Sequence, residues 1–71
     1  MLYTALRSFH AVASHSGFSS AARALNISQP TLSSQVKGLE IRYDVELFSR
    51  IGREVRLTPA GQNLYQTGIA P

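Results

Sequence analysis

The chain of 71 residues has no cysteine, which removes both a disulfide framework and any thiolate metal site and is compatible with a reducing cytoplasm. Acidic residues are scarce. Four Asp and Glu stand against seven Lys and Arg, for a net charge of +3 and a pI near 10.0, a balance that favours a polyanion as partner without naming one. No window approaches the roughly 20 apolar residues of a membrane span, and the N-terminus lacks the basic start and unbroken apolar run of a signal peptide. The expectation is a soluble, cytoplasmic domain with no membrane partner. No internal repeat or low-complexity run is present. Nor is there a glycine-rich phosphate loop, and no paired acid orients a base beside Ser14-His15-Ser16. His10 and His15 are five positions apart, not the three or four that put two metal ligands on one helical face. Neither an enzyme, nor a metal site, nor a bound cofactor is expected.

What is present suits one small core. Apolar residues make up 44% of the chain, and a chain this short buries only about 60% of its unfolded surface, so its stability margin is narrow. The organising stretch is Ser28-Gln29-Pro30-Thr31-Leu32-Ser33-Ser34-Gln35-Val36-Lys37-Gly38-Leu39-Glu40. At about 100° of turn per residue, Leu32, Val36, Leu39 and Tyr43 fall on one stripe that can bury. Roughly opposite lie Pro30, Ser34 and Lys37, flanked by Ser33 and Gly38, with no acid before Glu40. A helix built only for solubility usually carries Glu and Lys there. Short hydroxyls, an amide and one ammonium suit a surface lying against base edges and phosphates.

Taken in order, Leu2, Leu6, Phe9 and Ala13, widened by Ala5 and Val12, predict a first helix from Leu2 to about His15. Ser16-Gly17 ends it, with Gly17 expected to supply a positive φ. Ser19 is the expected N-cap of a short second helix whose inner face is Ala21, Ala22 and Leu25. Asn26 can turn the chain in the left-handed conformation, Ile27 plugs the corner, and Ser28 caps the next helix, with Gln29 and Pro30 in its first turn. Two helices joined this tightly form a helix-turn-helix. After Asp44 the period changes: Leu47 and Phe48 open an apolar segment, and Val55-Arg56-Leu57 alternates. Two short antiparallel strands are expected, with Gly52-Arg53 near the tip, forming a wing. Thr58-Pro59 then starts a helix running to about Ile69 with Leu64 inward. The fold class is mainly α: a winged helix-turn-helix with a three-helix core, a two-stranded β wing and the start of a further helix.

The series Phe9, Val12, Phe18, Ala21-Ala22, Leu25, Ser28-Gln29-Pro30, Ser33, Leu39-Glu40, Leu47-Phe48, Arg50, Arg53, Leu57-Thr58 and Ala60-Gly61 resembles the N-terminal winged helix-turn-helix of LysR-type bacterial transcriptional regulators over nearly the whole chain. The resemblance implies a cytoplasmic, dimeric or tetrameric activator or repressor. It divides the chain into a DNA-binding domain over 1–58 and, over 59–71, the beginning of a linker helix. In the family that helix pairs two DNA-binding domains, and a C-terminal domain, absent from this chain, senses a small-molecule inducer; contact with RNA polymerase is a further implication. It places Gln29, Pro30, Ser33 and Ser34 in the major groove, Arg53 on the wing, and Arg50 and Thr58 near the DNA backbone; Thr31 and Lys37 complete the expected DNA-binding set. Three features depart from the family's pattern. Ser34 stands where a basic residue is frequent, and Asp44 where glycine is usual. The last helix carries Gly68 and meets Pro71, so self-association of this fragment is expected to be weak or absent.

Each site residue also has a plainer reading. The Gln29 amide matches the N6 and N7 edge of adenine, a bidentate contact worth about 1–3 kcal/mol of discrimination, or else is a solvated first-turn residue. Ser33, Ser34 and Lys37 bind phosphates or bases, or form an ordinary exposed face. Arg53 suits the negative potential of a narrow minor groove, or is a hairpin-tip arginine. Pro30 touches a thymine methyl or simply initiates the helix. Arg50 and Arg56 are peripheral phosphate partners, or pair with Glu46 or Glu54 at the surface for little stability. A second functional class stays open: a winged-helix module that binds protein, suggested by the modest charge and by the apolar side chains of Ile41 and Ile69. Structural RNA binding fits the pI but not the lack of a stacking aromatic on the outward helix face.

Overall fold

The computed structural model describes residues 2–51 and 54–67. Helices α1 (Leu2–His15), α2 (Phe18–Leu25) and α3 (Gln29–Tyr43) are followed by strands β1 (Phe48–Ile51) and β2 (Glu54–Leu57) and by helix α4 (Pro59–Thr67). The strands pair antiparallel in the register Phe48 with Leu57 through Ile51 with Glu54. This is the expected helix-turn-helix with a two-stranded wing. Gly52 and Arg53, expected at the tip, and Ile69 lie outside the described residues.

The core forms where helical spacing directs it. Phe9 and Val12 of α1, Phe18, Ala21 and Ala22 of α2, and Leu32, Val36 and Leu39 of α3 are buried together, joined by Leu47 and Phe48 at the root of the wing. Methyl-sized Ala21 and Ala22 leave room for α2 to lie close to its neighbours, and Phe48 inserts between two aromatic rings, 5.3 Å from Phe9 and 5.8 Å from Phe18. Such tilted and edge-on ring pairs add about 0.5–1.5 kcal/mol beyond their area. Ser8 is also buried, and its hydroxyl donates to the Gln35 side-chain oxygen. The α1 stripe read from Leu2 to Ala13 does not reveal this polar pair, because it joins residues 27 positions apart.

Three helix ends are made by non-glycine residues with positive φ: Ser16 at 56°, Asn26 at 58° and Asp44 at 55°. Asn26 and Asp44 behave alike. Each turns left-handed, and the next residue donates its N–H five positions back, Ile27 to Ala22 and Val45 to Glu40, so both loops close back on the last turn of the helix they leave. The first helix ends differently from expectation. Ser16, not Gly17, takes the left-handed turn; Gly17 is extended at φ 177° and is itself the residue preceding α2, while Ser19 sits inside that helix. Tyr43 departs too, for it is 46% exposed. Residues 41–46 are exposed throughout, so the apolar stripe of α3 stops burying after Leu39.

Ser28 caps α3, its hydroxyl oxygen accepting the Thr31 N–H at 3.3 Å, with proline in the first turn where no N–H is missed. Thr58 caps α4, accepting the Gly61 N–H at 3.0 Å and donating to the Glu46 carbonyl. A Cβ on Gly61 would stand 2.2 Å from the Leu47 carbonyl oxygen, so only glycine lets α4 approach the wing root this closely. Tyr65 docks α4 on α1: its ring stacks on His10 with centroids 4.9 Å apart, and its hydroxyl lies 3.2 Å from Ser14 Oγ. Leu64 is half-buried against the core, as expected.

Candidate nucleic-acid interface

With Leu32, Val36 and Leu39 turned into the core, the opposite side of α3 faces outward. Gln29, Pro30, Thr31, Ser34 and Lys37 are exposed and Ser33 is half-buried. Across from this face stands β1. Between them runs an open groove of about 790 Å³ lined by Phe18, Pro30, Ser33, Ser34, Lys37, Phe48, Ser49 and Arg50, among others. A second hollow of about 380 Å³ adjoins it, shares Phe18, Ser33 and Arg50, and adds Ser19 and Gln29. The structure therefore brings Gln29, Pro30, Ser33, Ser34, Lys37 and Arg50 to one side of the molecule.

The local chemistry orients several of these groups. Arg50 projects from β1 with its guanidinium carbon 4.5 Å above the centre of the Phe18 ring, a cation–π contact of about 0.5–1 kcal/mol at an exposed site. That contact restrains a long side chain at the mouth of the groove. The Arg50 guanidinium is thus seated on a ring from α2, not on the carboxylates considered from the sequence. Arg56, by contrast, is spent on Glu54, Nε to Oε1 at 2.9 Å with both side chains well exposed. Thr31 holds the cap: Ser28 Oγ donates to its Oγ1 at 2.7 Å.

Glu40 and Glu46 also line the groove, where bare carboxylates oppose any polyanion. The Glu40 carboxylate is engaged: its Oε2 accepts the Leu47 N–H at 2.7 Å and the Phe48 N–H at 3.4 Å. One acid therefore ties the wing root to the last turns of α3. Thr58 lines neither hollow; its hydroxyl accepts the Gly61 N–H in the α4 cap and donates to the Glu46 carbonyl. Arg53 lies outside the described residues.

Three contributors escape the sequence reading. Ser19, expected as a cap, instead donates to Gln29 Oε1 at 3.0 Å. Phe18 serves as the seat of Arg50, and Glu40 is the clamp on the wing. No periodic signal marks such pairs, which join residues distant in the chain. Among the described residues no group of three or more His, Cys, Asp or Glu could hold a metal ion, and no helix is long and apolar enough to cross a membrane.

A helix-turn-helix with a β-hairpin wing and an outward helix free of acid in its first turns defines the winged-helix class of regulatory domains. Comparison with known proteins makes this specific. The family described as "Bacterial regulatory helix-turn-helix protein, lysR family" matches residues 3–62, and the chain belongs to that family. It is 49% identical over 59 residues to the AhcY transcriptional activator HvrB of Rhodobacter capsulatus, covering 83% of this chain and 20% of that protein. It is 51% identical over 61 residues to the HTH-type transcriptional regulator BudR of Klebsiella aerogenes, covering 86% of this chain and 43% of BudR. The chain thus spans less than half the length of these relatives. Among solved structures, the BenM DNA-binding domain bound to catB site 1 DNA superposes with a TM-score of 0.89 at 40% identity, covering 97% of this chain and 76% of that one. Full-length CbnR complexed with its target DNA gives 0.87 at 35% identity, covering 93% and 23%.

Proposed function

We propose that the chain is the sequence-specific, double-stranded-DNA-binding domain of a transcriptional regulator, with no catalytic activity, that inserts α3 into a major groove while the wing meets the adjacent minor groove. The observation that carries this is the division of α3. Leu32, Val36 and Leu39 are consumed by the core, while Gln29, Pro30, Ser34 and Lys37 remain exposed, uncovered by any of the described residues. The BenM and CbnR structures named above contain DNA, which supports the same ligand here. Gln29 reads a base edge, Ser33 and Ser34 contact bases or phosphates, Lys37 and Arg50 meet phosphates, and Arg53, by its position in sequence, carries charge to the minor groove. In a longer protein, α4 continues as a helix that pairs two copies on half-sites about one helical turn apart, roughly 34–36 Å, or a multiple of it. Cytoplasmic location, an inducer held by a separate domain and contact with RNA polymerase belong to that longer protein.

The test is binding to duplex DNA over a range of salt. Gln29→Ala relaxes base preference. Lys37→Ala and Arg53→Ala weaken binding to all sequences and each lower the salt slope by about 1. Equal affinity and equal salt dependence for wild type and all three variants would dispose of the reading. Ile41 and Ile51, 70% and 63% exposed, favour the second reading, a surface that docks protein. Amide chemical shifts separate the two: duplex DNA perturbs Gln29 to Lys37, whereas a protein partner acting alone perturbs Ile41 and Ile51.

A further inference from the structure

Ser19 lies in the first turn of α2, and its hydroxyl donates to Gln29 Oε1 at 3.0 Å across the turn between α2 and α3. It has no capping task, since α2 begins from Gly17 without a side-chain cap. Both partners are exposed, so neither is required by the core, and both line the hollow shared with Ser33 and Arg50. We propose that Ser19 is a positioning residue for base recognition, pinning the Gln29 amide in one place so that it meets a single base pair in a single orientation. This rests on the DNA-binding reading above.

The physical reason is the freedom of glutamine. Its side chain has three torsions, the last of them broad and two-fold, and ordering such a chain is among the larger side-chain entropy costs. A free Gln29 would meet that cost on binding and would sample several base pairs. Held by Ser19, it is ordered beforehand, and preorganisation raises affinity by reducing what binding must order. Ser19 uses one lone pair of Oε1. The second lone pair and both Nε2 hydrogens stay available, enough for the paired acceptor and donor edge of adenine. The first helix of the motif thus contributes to specificity without touching a base.

Selection from a duplex library with a randomised core, run in parallel on wild type, Ser19→Ala, Ser19→Thr, Gln29→Ala and the Ser19→Ala/Gln29→Ala double variant, yields a base-preference profile for each. Gln29→Ala flattens one position of the profile. Ser19→Ala lowers discrimination at that same position about three- to tenfold, the range one hydrogen bond supports, and leaves the other positions alone. Ser19→Thr, which keeps the hydroxyl, retains the wild-type profile, and the double variant matches Gln29→Ala. A wild-type profile from Ser19→Ala, a further loss in the double variant, or a lowered melting temperature for Ser19→Ala overturns the proposal while leaving Gln29 as a reader. Failure of wild type to retain any duplex, or a Gln29→Ala profile equal to wild type, overturns the underlying reading and this inference with it.

Discussion

The helices and the wing are held by different means. Nine of the eleven buried apolar residues among those described lie on α1, α2 and α3, and the other two, Leu47 and Phe48, sit at the wing root. Burial fades along β1 from Phe48 to Ile51, which is 63% exposed. The helices thus owe their arrangement to non-directional packing. The wing owes its placement to a few directed contacts at its base: Phe48 between two rings, the Glu40 carboxylate on two N–H groups, and the Thr58 N–H on the Leu47 carbonyl at 3.0 Å. The two halves therefore divide the labour. On the proposed reading, a helix packed against both α1 and α2 presents Gln29 and Ser33 steadily enough to read bases, whereas a hairpin held chiefly at its root suits contact by charge, which tolerates imprecision.

Breaking the helical half has the largest effect. Leu32→Ala empties a fully buried site and destabilises by about 3–4 kcal/mol; urea denaturation should show the wing lost in the same transition, and separate transitions for helices and wing would refute the cooperative picture. Gly61→Ala comes next. It drives a methyl group against the Leu47 carbonyl and costs about 2–3 kcal/mol, with amide shifts concentrated at residues 46–48 and in α4; an unchanged melting temperature would contradict it. Glu40→Gln removes the charge from two hydrogen bonds for about 1 kcal/mol. Hydrogen exchange should quicken at Leu47 while Val36 and Leu39 keep their protection, and equal acceleration at all three would show that Glu40 serves the whole domain. Arg56→Ala, which opens an exposed ion pair, should change stability by less than about 0.5 kcal/mol; a larger loss in the same denaturation assay would give the outer wing more structural weight than its burial implies.

The same contrast explains which features are legible in the sequence. Leu32, Val36 and Leu39 are readable because a 3.6-residue period marks a buried face wherever packing is non-directional. Ser28, Asn26 and Thr58 are readable because capping is local chemistry. Ser19 with Gln29, Glu40 with Leu47 and Arg50 with Phe18 are not, since each joins two elements by one directed contact that leaves no periodic trace. Tyr43 misleads because the stripe extends past the point where a neighbour covers it, and Gly17 because the bend that glycine would favour is taken by Ser16. The likeness to LysR-type regulators is visible throughout because it rests on many short local motifs in register.

Greasy surfaces alone would let one cylinder roll against another by several degrees at little cost. The Ser8 hydroxyl, sealed beneath α1 and joined to Gln35, acts as a key in a slot and stops that rotation. The facing of α3, set by Leu32, Val36 and Leu39 in the core, thus gains one polar lock at its back, so that Ser8 and Gln35 bear on the steadiness of a surface neither of them belongs to.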